Sequence, residues 1–112
     1  MNEDYPIFVK WLSILDWLMD RAESFPKSVR FTVSSRLVNL SLEIMDGIIE
    51  LIYSRNKAKM INQANLKLEK LRVLIRICFK RRYLSAKQYE YIAEEINESG
   101  RMLGGWKKYE TG

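Results

Sequence analysis

Apolar residues recur at steps of three and four along four separate stretches of this chain, and that spacing leaves few folds open. It is sharpest where Ile61, Ala64, Leu68, Leu71, Ile75 and Cys78 follow one another, since residues three and four apart share one face of a helix. Phe8, Trp11, Leu12, Leu15, Leu18, Met19 and Ala22 repeat the pattern near the start. In the second stretch Leu37, Leu40, Ile44, Ile48 and Leu51 form one stripe, and Val38, Leu42, Met45, Ile49 and Ile52 form another beside it. Two adjacent stripes make a face broader than a single neighbour needs. Tyr89, Ile92, Ile96, Ser99, Leu103 and Trp106 define the stripe of the last stretch.

The breaks between these stretches are short. Pro6 and Pro26 are the only prolines, and each stands where a helix can begin, because a first helical turn tolerates proline. Asp4 lies just ahead of Pro6 as a candidate cap. Ser85 and Gln88 make a Ser-x-x-Gln capping box at the head of the last helix. The spacing predicts helices over about 5–23, 28–53, 57–81 and 85–108, with Tyr83-Leu84 connecting the last two. A chain of 112 residues is the size of one domain. The expectation is therefore an all-α domain over 1–112, an antiparallel up-down-up-down four-helix bundle. Gly100 and Gly104 fall on neighbouring turns of the last helix. Glycine costs a helix about 1 kcal/mol, so both point to close helix contact there, with fraying at Gly104-Gly105 as the plainer alternative.

Composition removes several chemistries. With no His and Cys78 as the one cysteine, zinc sites, His general bases, Cys-His pairs and intrachain disulfides are excluded by count. The Glu-x-x-His pairs of di-iron bundles go with them. Glu43, Asp46 and Glu50, and likewise Glu90, Glu94, Glu95 and Glu98, read as solvated helix faces. No catalytic residue, metal or cofactor is expected. No apolar run reaches the ~20 residues of a membrane span, and Met1 to Asp4 is acidic where a leader peptide would be basic. The expected setting is the cytoplasm, away from membranes.

Charge is unevenly distributed. The chain carries +5 overall, but ten Lys and Arg against Glu69 alone give +9 between 55 and 82, leaving −4 elsewhere. Lys67, Lys70, Arg72, Arg76, Lys80, Arg81 and Arg82 are the candidate contacts to a polyanion, held by salt-dependent, largely sequence-independent affinity for phosphates. No base-reading motif is present, so backbone binding is expected. Leu66, Val73 and Ile77 fall on the far side of the third helix from its main stripe. They cannot reach the same core, so they predict self-association, which would turn one cationic patch into a belt. Trp11 and Trp106 lie on apolar stripes and read as core, while Trp17 lies off its stripe and reads as a partner contact. Cys78 reads as a buried, inert thiol.

Four blocks carry a family resemblance. They are Phe25-Pro-Lys-Ser-Val-Arg-Phe-Thr32, Leu68-Glu-Lys-Leu-Arg-Val-Leu-Ile-Arg76, Leu84-Ser-Ala-Lys-Gln-Tyr89 and above all Gly100-Arg-Met-Leu-Gly-Gly-Trp106. Over about residues 7–108 the chain resembles the Avd family, the accessory variability determinants of diversity-generating retroelements. These are relatives of the four-helix bundle proteins encoded by intervening sequences in bacterial 23S ribosomal RNA genes. The resemblance implies a basic, barrel-shaped homopentamer that binds the element's reverse transcriptase and nucleic acid, RNA first with DNA left open, without being the polymerase. It marks Arg30, Arg72, Arg76 and Arg101 as family-type basic positions, with Arg30 and Arg101 equally suited to pairing with acids. An intervening-sequence bundle protein with a structural or RNA-associated role is the alternative.

Overall fold

The computed structural model describes residues 2–111, with side chains through residue 106. Four helices carry the fold: α1 (Pro6–Ser24), α2 (Ser35–Tyr53), α3 (Lys57–Lys80) and α4 (Ala86–Thr111), with no strand among the described residues. They form a four-helix bundle of 46 × 22 × 22 Å, in which each helix packs on its neighbours in sequence and α1 closes on α4. Cross-helix pairs run antiparallel. Tyr5, just ahead of α1, meets Trp106 of α4 and Trp17 of α1 meets Tyr91 of α4, while Arg72 bonds Asn97 and Phe79 stacks on Tyr89 between α3 and α4. No helix is long and apolar enough among the described residues to cross a membrane.

The core follows the spacing. All six stripe residues of α3 are buried, as are Leu37, Leu40, Ile44, Ile48 and Leu51 of α2 and Ile92, Ile96, Ser99 and Leu103 of α4. Trp11 is fully buried and its indole Nε1 donates to the Ser41 carbonyl at 3.0 Å. That carbonyl acceptor satisfies the one polar group the ring brings into the core. Trp106 differs from expectation: it is half-buried at the rim, beside Tyr5, with the Lys57 ammonium 5.3 Å from its ring. Leu12 and Met19 also leave the core, at 51% and 39% exposed.

Two helix starts differ from the sequence reading. Asp4 lies in a 3-10 turn over Asn2–Asp4, and the residue before α1 is Tyr5, in extended conformation and without a side-chain cap. Proline forces this, because the residue preceding it is driven out of the helical region. The predicted helix over 28–53 is divided into a 3-10 turn at Lys27–Val29, a π-helical turn at Arg30–Ser34 and regular α2 from Ser35. Val29, Val33 and Leu37 face inward at successive steps of four. The wider i→i+5 turn at Arg30–Ser34 joins this segment to α2. It also turns Ser34 inward, where its hydroxyl donates to the Ala22 carbonyl at 3.2 Å.

The capping box forms as predicted: the Gln88 backbone N–H donates to Ser85 Oγ at 3.1 Å, and the Ser85 N–H to Gln88 Oε1 at 2.9 Å. The glycine reading holds at one position. A Cβ at Gly100 would stand 3.1 Å from the Arg72 guanidinium, whereas one at Gly104 would meet nothing within 4 Å. Close contact therefore accounts for Gly100 and not for Gly104.

Candidate nucleic-acid interface

Helix α3 presents two faces because its apolar residues do. With Leu68 and its stripe inside, helical spacing of about 3.6 residues per turn places Leu66, Val73 and Ile77 on the opposite side, and they are 58%, 51% and 44% exposed. They line a shallow groove of about 350 Å³ whose other wall is Arg36 and Leu40 of α2. Lys70 and Arg81 border this apolar strip on one side, and Arg76 and Lys80 on the other. All four are exposed.

The seven candidate cations are not equivalent. Arg72 reaches over α4: its Nε donates to Asn97 Oδ1 at 3.1 Å, its NH1 lies 3.2 Å from Glu69, and its tip covers Gly100. It acts first as a clasp between helices. The side chains of Lys67, Lys70, Arg76, Lys80, Arg81 and Arg82 make no hydrogen bond or ion pair among the described residues, and all but half-buried Lys67 are exposed. Those six are the open cations. Arg30 is exposed beside a groove at the α1–α2 turn, and Arg101 pairs with Glu98 on its own helix at 2.5 Å.

Arg82 has a backbone cost. At φ 65° it is the only non-glycine in the left-handed region among the described residues. The Tyr83 N–H bonds the Cys78 carbonyl at 2.8 Å and the Arg82 N–H bonds Phe79 at 3.0 Å, the two bonds of a Schellman motif. Glycine is the usual occupant of that position. Here an exposed arginine holds it, which puts one of the six open cations just past the end of the helix.

Lys57 serves the fold, which the sequence reading missed. Its ammonium donates to the carbonyls of Leu51 at 2.9 Å and Ser54 at 2.7 Å, satisfying acceptors that the end of α2 leaves without partners. A lysine just past a helix end was the available signal. Trp17 is half-buried against Tyr91, ring centroids 5.2 Å apart. That is the α1–α4 edge, so Trp17 is not brought together with Leu66, Val73 and Ile77. Cys78 is fully buried, and desolvation pushes its thiol up to about 11, which keeps it protonated and unreactive near neutral pH. Among the described residues no three His, Cys, Asp or Glu side chains gather to hold a metal ion.

A search of curated proteins finds no match. A family model described as bAvd-like matches residues 7–110, a span that takes in the four helices but for the first residue of α1 and the last of α4, with the cationic α3 and the four sequence blocks, and the chain belongs to the bAvd-like family.

Proposed function

We propose that this protein is a non-catalytic accessory subunit of a diversity-generating retroelement. It self-associates, holds template RNA and complementary DNA by their phosphates, and brings them to the reverse transcriptase, which carries the chemistry of mutagenic retrohoming. Family membership supports the setting. The observation that carries the nucleic-acid role is the row of open cations from Lys67 to Arg82 beside an exposed apolar strip. Six positive charges with no partner among the described residues, spread over about 20 Å of α3 and the turn that ends it, suit a polyanion and offer no base-specific geometry. Pentameric assembly rests on family likeness alone.

Charge reversal at Arg76 and Arg82 tests the RNA role. Removing one phosphate-binding cation lowers the salt slope of single-strand binding by about 0.7, so R76E/R82E flattens the slope and weakens retention at low salt while helicity is unchanged. An unaltered slope in a folded variant refutes the assignment. Arg72 is a poorer probe, because its reversal also breaks the clasp to α4. The retroelement setting is tested by gene neighbourhood: a reverse transcriptase gene with paired template and variable repeats is expected. A position inside a ribosomal RNA gene overturns it in favour of the intervening-sequence reading.

A further inference from the structure

Phe31 is 87% exposed, more than any other large apolar side chain among the described residues, and the core makes no use of it. It does not sit on a loose loop. The π-helical turn at Arg30–Ser34 carries it, between Val29 and Val33, which pack on the core. Ser34 Oγ ties that turn to the Ala22 carbonyl at 3.2 Å, and Thr32 Oγ1 donates to the Val29 carbonyl at 3.3 Å. The ring is therefore held out on an anchored backbone. Its surroundings are cationic. Phe25 in the α1–α2 connection and Tyr83 in the α3–α4 connection have ring centroids 5.3 Å apart, so both connections lie at one end of the bundle. Residues 21–31 and 79–89, which make up this end, hold seven Lys and Arg against Glu23 alone. The exposed side chains of Lys27 and Arg30 make no hydrogen bond or ion pair among the described residues. They share a groove of about 750 Å³ with apolar Met19, Ala22 and Val38 and with Glu23.

From this arrangement we infer that this end of the bundle is a single-strand-binding site, where an unpaired base stacks on the Phe31 ring while Lys27 and Arg30 hold the neighbouring phosphates. The inference rests on the nucleic-acid role proposed above, and adds to it a base-contacting residue outside α3 and a preference for single strands. Cations alone do not separate single from double strands, since both present phosphates. An aromatic face does. Bases in a duplex are already stacked on one another, whereas an unpaired base can lie flat on a ring, whatever its identity, because every base has a π-face. The residues around Phe31 suit that ligand better than a protein. Exposed Lys27, Ser28, Arg30 and Thr32 flank it in sequence, and the buried centre of a protein interface is depleted in charge. Lys80, Arg81 and Arg82 stand at the same end, so a strand held along α3 continues onto this site over positive surface.

Fluorescence anisotropy with a short single-stranded RNA, and with the same strand annealed to its complement, tests the site. F31A and F31L remove the aromatic face, the second keeping an apolar side chain, and F31W supplies a larger face. The position is exposed, so all three variants fold, which circular dichroism checks. F31A and F31L bind the single strand about tenfold more weakly than wild type, F31W binds it at least as well, and duplex binding is unchanged in all three. Their salt slopes equal that of wild type because no charge is altered, whereas K27A/R30A lowers the single-strand slope by about 1.4. An F31L variant that binds like wild type shows an apolar contact without stacking and overturns the inference. So does an F31A variant with full single-strand affinity, including one that has lost its hold on the reverse transcriptase and so marks Phe31 as a protein anchor. An equal loss on the duplex, an unchanged slope in K27A/R30A, or an F31A mass that shifts in light scattering and so puts the ring between copies has the same effect. Each of these removes the Phe31 site and leaves the α3 cations in place; wild-type protein that binds neither RNA overturns the nucleic-acid role and this site with it.

Discussion

Replacing Arg82 by glycine separates stability from binding. The left-handed conformation costs an L-residue about 1–2 kcal/mol, and glycine adopts it freely but adds back about 0.5–1 kcal/mol of unfolded-chain entropy. The exposed Arg82 side chain has no bonded partner among the described residues to lose. R82G therefore stabilises the fold by roughly 0.5–1 kcal/mol, the difference between those two magnitudes. In a domain of this size that raises Tm by about 2–8 °C. The same substitution removes one cation, so RNA affinity falls and its salt slope drops by about 0.7. Thermal unfolding and salt-titrated RNA binding are measured on one preparation, with R82K as the control that keeps both the charge and the strain. Destabilisation by R82G shows that the arginine makes interactions that outweigh its backbone strain. Unchanged RNA binding removes Arg82 from the interface. Either result breaks the idea that this position trades stability for charge.

Three further outcomes are expected. K57M loses about 1–2 kcal/mol in urea unfolding, because the carbonyls ending α2 lose their cation; unchanged stability means that water serves them equally well. L68A, at a position 1% exposed, costs about 3 kcal/mol, and a loss under about 1 kcal/mol contradicts the packing of α3. The Cys78 thiol is raised from 9.0 to about 11, so the unfolded chain gives up its proton first and stability falls as pH climbs from about 9 through 11. C78A lacks that part of the alkaline decline, and identical pH profiles for the two proteins refute it.

How much of this was legible depends on what each residue answers to. Burial follows periodicity, so the α3 stripe, its exposed counterpart and the capping box of α4 were readable from spacing alone. Leu12 and Met19 look like core on the same criterion and are not, because a helix meets two neighbours over a limited arc and the period does not say where that arc ends. The π-turn at Arg30–Ser34 is invisible to a reading that assumes one pitch throughout. Among the candidate cations, spacing gave exposure but not commitment. Arg72 and Arg76 share a flank of α3 one turn apart, yet the first is held by Asn97 and Glu69 while the second is open. That difference depends on which α4 residues lie opposite, a relation between helices that no single helix encodes. Arg82 gave no warning, since arginine rarely takes the left-handed position that the chain imposes there.

If copies associate and hold nucleic acid as proposed, the two processes are coupled through the same charges. Each chain carries +5, so each added copy meets repulsion that salt screens over about 10 Å at 0.1 M. A bound nucleic acid offsets that repulsion and strengthens assembly. Linkage then requires the converse by the same factor: assembled protein binds RNA more tightly than the single chain does. A tenfold effect in either direction corresponds to about 1.4 kcal/mol. Light scattering near the midpoint of self-association, with and without a short RNA, gives the first factor. RNA titrations below and above that midpoint give the second. The two factors agree if one set of open α3 cations serves both processes. RNA affinity that ignores protein concentration, together with assembly that ignores RNA, would show that the cations act chain by chain, and the belt formed by neighbouring copies would have no part in binding.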